Sequence, residues 1–309
     1  MKLLKLSWIF FLALPLFITS CDDDDTTDPE PQSIVEIASD DAQFSDLVTA
    51  LDRAGLVSTL EGTGPFTVFA PTNAAFAAAG IDVNTIDVNV LTEVLLYHVL
   101  GADIASTDLG EGQTYASTAA AAGPNGTQLS VLIEKSGNSV KLNNAVDVTT
   151  ADVDASNGTI HIINGVLLPL DVVGHASANS NFTELVGALG AASGDLVATL
   201  QTDGPFTVFA PLNSAFADIQ STVDGLDADQ LSKVLLYHVA AGNVTSDLVT
   251  DGMTVTSLNN DITFTANVSD GVVTLTDVSG NVATVVLTDV QGTNGVIHVI
   301  DKVIIPNNL

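Results

Sequence analysis

Gly64-Pro65-Phe66-Thr67-Val68-Phe69-Ala70-Pro71 recurs letter for letter from Gly204 to Pro211, a shift of 140 positions. At the same shift Val94-Leu95-Leu96-Tyr97-His98-Val99 returns as Val234-Leu235-Leu236-Tyr237-His238-Val239. Near the end of each copy Asn157-Gly158-Thr159-Ile160-His161-Ile162-Ile163 returns as Asn294-Gly295-Val296-Ile297-His298-Val299-Ile300. Order and spacing are both kept. A period this long means two globular domains, placed here at 33–171 and 172–309, rather than a solenoid of small units.

Within each copy the hydrophobic period changes once. Phe44, Leu47, Val48 and Leu51 fall at i, i+3, i+4 and i+7, as do Phe182, Leu185, Val186 and Leu189, which is the stripe of an amphipathic helix. The Gly-Pro pair then opens a short strand, Phe66 to Ala70, apolar enough to be buried on both faces, and Pro71 and Pro211 end it. Asn73 and Asn213 are placed to N-cap the short helix that follows, because an Asn side chain accepts from the free N–H groups of a first turn. Phe76 and Phe216 point back to the core. A second amphipathic helix carries Leu91, Val94, Leu95 and His98, matched by Leu231, Val234, Leu235 and His238. Period-two strands follow: Leu129 to Ile133, Val140 to Leu142 and Ile160 to Leu168, then Ile262 to Thr265, Val272 to Leu275 and Val282 to Leu287. Helices first and strands later predict an α+β domain with an antiparallel sheet and helices at one side or end.

The N-terminus carries addressing information. Lys2 and Lys5 precede an apolar run from Leu6 to Ile18, with Thr19 and Ser20 before Cys21, so residues 1–20 read as a signal peptide. A spanning helix needs about 20 apolar residues, and this run stops sooner. Ile18-Thr19-Ser20-Cys21 resembles a lipobox, which implies a lipidated Cys21 anchoring the chain to a membrane. Cys21 is the only cysteine, so the fold stands without an internal disulfide. Residues 21–32, with Asp22 to Asp25 and two prolines, have the composition of a self-repelling tether reaching at most about 40 Å. An acidic run after such a cysteine also resembles the export signal of some surface-exposed outer-membrane lipoproteins.

The chain holds 37 acidic and 7 basic residues, a net charge of −30, which repels nucleic acid and anionic headgroups. With 46% hydrophobic residues in regular patterns, it nevertheless has ample area to bury. The charge suits weak, surface-distributed binding of divalent cations and defines no site.

The three repeated blocks resemble the signature of the fasciclin (FAS1) family. Thr67 to Phe76 is similar to its first block, Tyr97-His98 to its Tyr-His element, and Gly158 to Leu167 to its second block, each present twice and in family order. That resemblance implies two tandem FAS1-like domains, each a β-sandwich-like wedge with associated helices. It also implies an extracellular setting and an adhesive or matrix-contact role without a cofactor, in which a surface protein or polysaccharide is the partner. In the family the Tyr-His element, here Tyr97, His98, Tyr237 and His238, is tied to folding and, in some animal members, to integrin recognition. The chain itself favours folding: His98 and His238 lie on apolar helix stripes, His161 and His298 lie in apolar strands, and there is no Arg-Gly-Asp.

Chemistry is sparse elsewhere. Four of the five histidines are repeat-related and the fifth, His175, lies at the domain junction. Gly-x-Ser-x-Gly, His-Glu-x-x-His and the phosphate-loop pattern are all absent, and no enzyme is expected. Asp152 to Gly158 resembles a calcium loop only superficially, since glycine falls one place late and Ile163 stands at position twelve. Tyr115 and Phe264 are the unduplicated rings beyond the signal, too few for a stacked-sugar platform. The leading expectation is therefore a lipid-anchored adhesin, with a ligand carrier of the envelope or surface as the alternative; the latter requires a concave apolar pocket.

Overall fold

The computed structural model describes residues 30–259 and 262–309. The signal segment, Cys21 and the tether as far as Pro29 lie outside the described residues.

The first copy runs α1 (Ile34–Asp40), α2 (Ser45–Ala54), α3 (Val57–Leu60), β1 (Phe66–Pro71), α4 (Asn73–Ala78), α5 (Val88–Tyr97), β2 (Val99–Leu100), β3 (Gly112–Ser117), β4 (Ser130–Ser136), β5 (Ser139–Leu142), β6 (Val146–Ala155) and β7 (Gly158–Ile163). The second repeats it with one added helix, α10: α6 (Val172–Ala178), α7 (Thr183–Ala191), α8 (Leu196–Leu200), β8 (Phe206–Pro211), α9 (Asn213–Asp218), α10 (Gln220–Val223), α11 (Ala228–Tyr237), β9 (Val239–Ala241), β10 (Met253–Thr256), β11 (Thr263–Ser269), β12 (Val272–Thr276), β13 (Val282–Gly292) and β14 (Gly295–Ile300). Helix starts are chemically marked. Ser33 and Glu36 form a capping box on α1, Asp87 caps α5, and Asp227 with Gln230 boxes α11.

Each copy contributes one seven-stranded sheet, ordered β2-β1-β7-β6-β5-β4-β3 and β10-β11-β12-β13-β14-β8-β9. The two orders are the same circuit. All neighbours are antiparallel except β1 with β7 and β8 with β14, which are parallel. That corrects the expected antiparallel sheet. The reason is connectivity: β1 leaves the helical layer early and its partner arrives about ninety residues later from the opposite side of a meander.

Strand β1 is buried on both faces, as its run of apolar residues requires. Val68 and Ala70 face a helical core of Phe44, Leu47, Phe76 and Leu95. Phe69 faces a second core with Tyr97, Val131, Leu142 and Ile163, formed where the sheet curls back over itself. Phe76 and Phe216 are buried as expected, each burial being worth about 2 kcal/mol.

Several strand limits differ from the sequence reading. The strand predicted from Ile160 to Leu168 ends at Ile163, where Asn164 and Gly165 break the ladder and leave Leu168 54% exposed. Strands β6 and β10 were not expected. Threonine recurs in both, β6 adds Asp147, Asp152 and Asp154, and β6 is interrupted by register shifts around Asp152, whose φ is +58°.

Candidate functional site

The three repeated blocks converge. β1 pairs with β7 from Phe66↔Gly158 to Pro71↔Ile163, and β2, which follows directly on Tyr97-His98, pairs with β1 at Thr67↔Leu100. The second copy pairs β8 with β14 and β9 in the same way. Letters repeat here because the same junction is built twice.

The histidines are consumed by that junction. His98 Nδ1 donates to the Val94 carbonyl at 2.7 Å and its Nε2 accepts from the Leu167 N–H at 2.9 Å. His238 does the same with Val234 at 2.8 Å and Ile304 at 3.1 Å. His161 takes the other tautomer, Nε2 donating to the Ile104 carbonyl at 2.9 Å and Nδ1 accepting from the Asp152 N–H at 3.2 Å. His298 matches it with Val244 at 2.8 Å and Asp289 at 3.3 Å. A carbonyl only accepts and an N–H only donates, so these partners fix four neutral rings. Burial pushes His98 and His238 down to about 4, and lowers His298 too. No ring has a nitrogen left for a substrate proton.

Tyr97 Oη donates to the Ser130 carbonyl at 2.8 Å and accepts from Asn143 Nδ2 at 3.1 Å, while Tyr237 Oη donates to the Thr263 carbonyl at 3.0 Å. Burial raises Tyr97 to about 12. Both tyrosines tie the end of a helix to the curled half of the sheet.

Asn73 and Asn213 cap a helix, but not the one predicted. Thr72 caps α4, and α9 has no side-chain cap. Asn73 instead accepts from the Asp46 N–H at 3.0 Å and donates to the Ala42 carbonyl and Ser45 Oγ, closing the start of α2 from across the fold. Asn213 serves α7 likewise through Glu184 N–H and the Ser180 carbonyl. The signal was available: Thr72 is replaced by Leu212 in the second copy, whereas the asparagine is kept.

Sequence reasoning missed Asn157 and Asn294 as fixed points. Asn157 Nδ2 donates to the carbonyls of Leu60 and Gly62, and its Oδ1 accepts from Ile34 N–H. Asn294 repeats this with Leu200, Thr202 and Val172. Among the described residues no group of three or more His, Cys, Asp or Glu is placed to hold a metal, and no helix is long and apolar enough to cross a membrane.

The unrepeated residues join the two copies. Tyr115 on β3 packs edge-on against His175 of α6, with ring centres 5.7 Å apart, and its hydroxyl accepts from Asn179 Nδ2 at 3.1 Å. Gln113 Oε1 accepts from Ser180 Oγ and Asn181 Nδ2, and the Gln291 N–H donates to Ser130 Oγ at 2.9 Å. His175 is wholly buried, neither ring nitrogen has a hydrogen-bond partner in the protein, and burial pushes it down to about 4.

The Fasciclin domain family model matches residues 42–169 and 180–306. The chain belongs to the fasciclin family. Both fasciclin domains have homologues of varied origin. Protein sll1483 of Synechocystis sp. is 44% identical over 142 residues, covering 44% of this chain and 74% of that protein. Transforming growth factor-beta-induced protein ig-h3 of Sus scrofa is 28% identical over 258 residues, 81% of this chain but 36% of its own length. A solved FAS1 domain pair from the insect cell adhesion molecule fasciclin I superposes with a TM-score of 0.51 at 19% identity, covering 83% of this chain and 94% of that one. The shared fold is thus the tandem pair, with its helices and curled sheets.

Proposed function

We propose that this fasciclin pair is a non-catalytic contact protein, held at the cell surface by a lipid on Cys21 and binding a surface protein or polysaccharide of a matrix or neighbouring cell. The observation that carries this reading is the inward commitment of the repeated polar groups. Tyr97, His98, His161 and their counterparts are spent on scaffold bonds, so the fold offers a surface rather than a reactive centre. The similarity to a domain pair from a cell adhesion molecule supports the same role.

One face suits the contact. Strands β12 and β13, paired at Thr274↔Thr284 and Thr276↔Val282, carry three exposed valines. Val272, Val282 and Val286 are 46%, 45% and 53% exposed, beside Thr274, Thr276 and Thr284 on an uncharged strip. At the position of Val286 the first domain has Thr149, as the paired anchors Asp152 and Asp289 establish. An apolar strip on a molecule of net charge −30 is where a partner is met without repulsion.

Attachment assays test the proposal. Deleting the gene is expected to lower attachment or clumping, wild-type protein to restore it, and Cys21→Ser or Val286→Asp to fail to restore it. Unchanged attachment in the deletion strain contradicts the role; full rescue by Cys21→Ser contradicts the anchor.

A further inference from the structure

The two domains are unequal in one respect that the repeat does not predict. In the second domain a cavity of about 310 Å³ opens beside Phe209 and His298, between β9, β10 and the curled strands. At the matching place in the first domain the space beside Phe69 and His161 is only about 10 Å³, and the hollow of about 390 Å³ that lies outside Ile104 and Ile133 is shut off from Phe69 and carries Asp108 and Glu111 on its lining.

Hydrogen-bond anchors establish which residues correspond. Leu100 and Ala240 pair with Thr67 and Thr207. The carbonyls of Ile104 and Val244 accept from His161 and His298. Ile133 and Ala266 lie three residues past Ser130 and Thr263, whose carbonyls accept from the two tyrosines. At all three positions the second domain carries the smaller side chain. Leu100 and Ile133 are buried and fill the first domain's site; Ala240, Val244 and Ala266 leave the second open. Phe264, one residue past Thr263 where the first domain has Val131, packs edge-on against Phe209 and Tyr237 and does not close the space. Three smaller residues on one wall of a closed core would leave a costly void. A void of this size, opening to solvent and lined mostly by carbon, is a receptacle.

Its chemistry narrows the occupant. No Asp, Glu, Lys or Arg lines the cavity, and Thr207 and His298 already have internal hydrogen bonds. The hydroxyls of Ser246 and Ser257 are likewise engaged within the protein, and Thr254, Thr256 and Thr288 supply the remaining polar residues of the lining. Without a cation in the wall, and with a net charge of −30, a carboxylate is unwelcome. A cavity of about 150 Å³ accepts one benzene, so this one fits a molecule of about twice that size. We infer that the second fasciclin domain binds a neutral, mainly apolar small molecule with one hydroxyl or carbonyl, of the size and character of a medium-chain alcohol. The first domain does not.

The test uses the whole double domain with 1-decanol as the probe and decanoate as its charged counterpart, followed by calorimetric titration and by melting temperature. Decanol is expected to bind one to one and raise the melting temperature, with decanoate at least tenfold weaker. Ala240→Leu with Ala266→Ile, which restores the first domain's side chains, is expected to weaken decanol at least tenfold while keeping or raising the melting temperature of the free protein. Should that pair misfold, Val244→Ile narrows the cavity by one methylene and is expected to weaken decanol severalfold. Absence of saturable decanol binding overturns the inference, as does equal binding of decanoate or undiminished binding by a folded filled variant.

Discussion

His98, His175 and His238 are neutral rings without access to water, and that fixes a pH dependence. An unfolded imidazole takes up its proton near pH 6.5, whereas burial holds these three down to about 4. Below about pH 6.5 the unfolded chain therefore binds more protons than the folded one. The stability carried by the neutral rings is complete above that pH, drains away between 6.5 and 4, and is gone below 4. The urea midpoint should fall across this window. Ile37 occupies the first-domain position of His175, since Ile34 and Val172 share the Asn157 and Asn294 anchors. His175→Ile should therefore make that slope shallower, and a midpoint flat from pH 7 to 4 would contradict the assignment. At this scale the sequence showed that the histidines belong to apolar stripes, but not their tautomers, which depend on carbonyls and N–H groups distant along the chain. Asn73 misled for the same reason: its own helix was adjacent in sequence, while the helix it caps was adjacent in space.

Secondary structure was legible where the pattern is local. The stripe of Leu47, Val48 and Leu51 became α2, with Phe44 at its N-cap, and the apolar run of Phe66 to Ala70 became β1. The parallel pairing of β1 with β7 was hidden, because antiparallel neighbours are the rule for short consecutive strands and nothing in Ile160 to Ile163 reports direction. The glycines did carry a trace of it. A Cβ on Gly158 would lie 1.9 Å from the Phe66 carbonyl oxygen, and one on Gly295 would lie 2.3 Å from that of Phe206. These residues are repeated because two backbones meet there. Gly158→Ala must push β7 off β1 and should cost about 3 kcal/mol, read as a lower urea midpoint. By contrast Gly187, on the open side of α7 with nothing within 4 Å, should gain slightly from the same change. Equal effects at the two positions would refute the close-approach account. Strands β6 and β10 escaped notice because their Thr and Asp residues lie exposed or half-exposed on the sheet and break up the apolar alternation.

Across the whole molecule, repeated and unrepeated residues divide the work. What appears twice solves packing inside each fasciclin domain, and what appears once does something between or within particular domains. Tyr115 and His175 stood out in the sequence as an unpaired ring and an unpaired histidine, and they meet across the join between the copies. Ala240 and Ala266 did not stand out, because a small apolar residue in a strand is unremarkable until its partner's size is known. The scaffold role of the repeated histidines is the claim on which the non-catalytic reading rests. Long-range ¹⁵N–¹H NMR of the imidazoles at pH 7 tests it most directly. His98 and His238 should carry hydrogen on Nδ1, and His161 and His298 on Nε2, all four neutral; an imidazolium or a tautomer-averaged ring at any of these positions would contradict it.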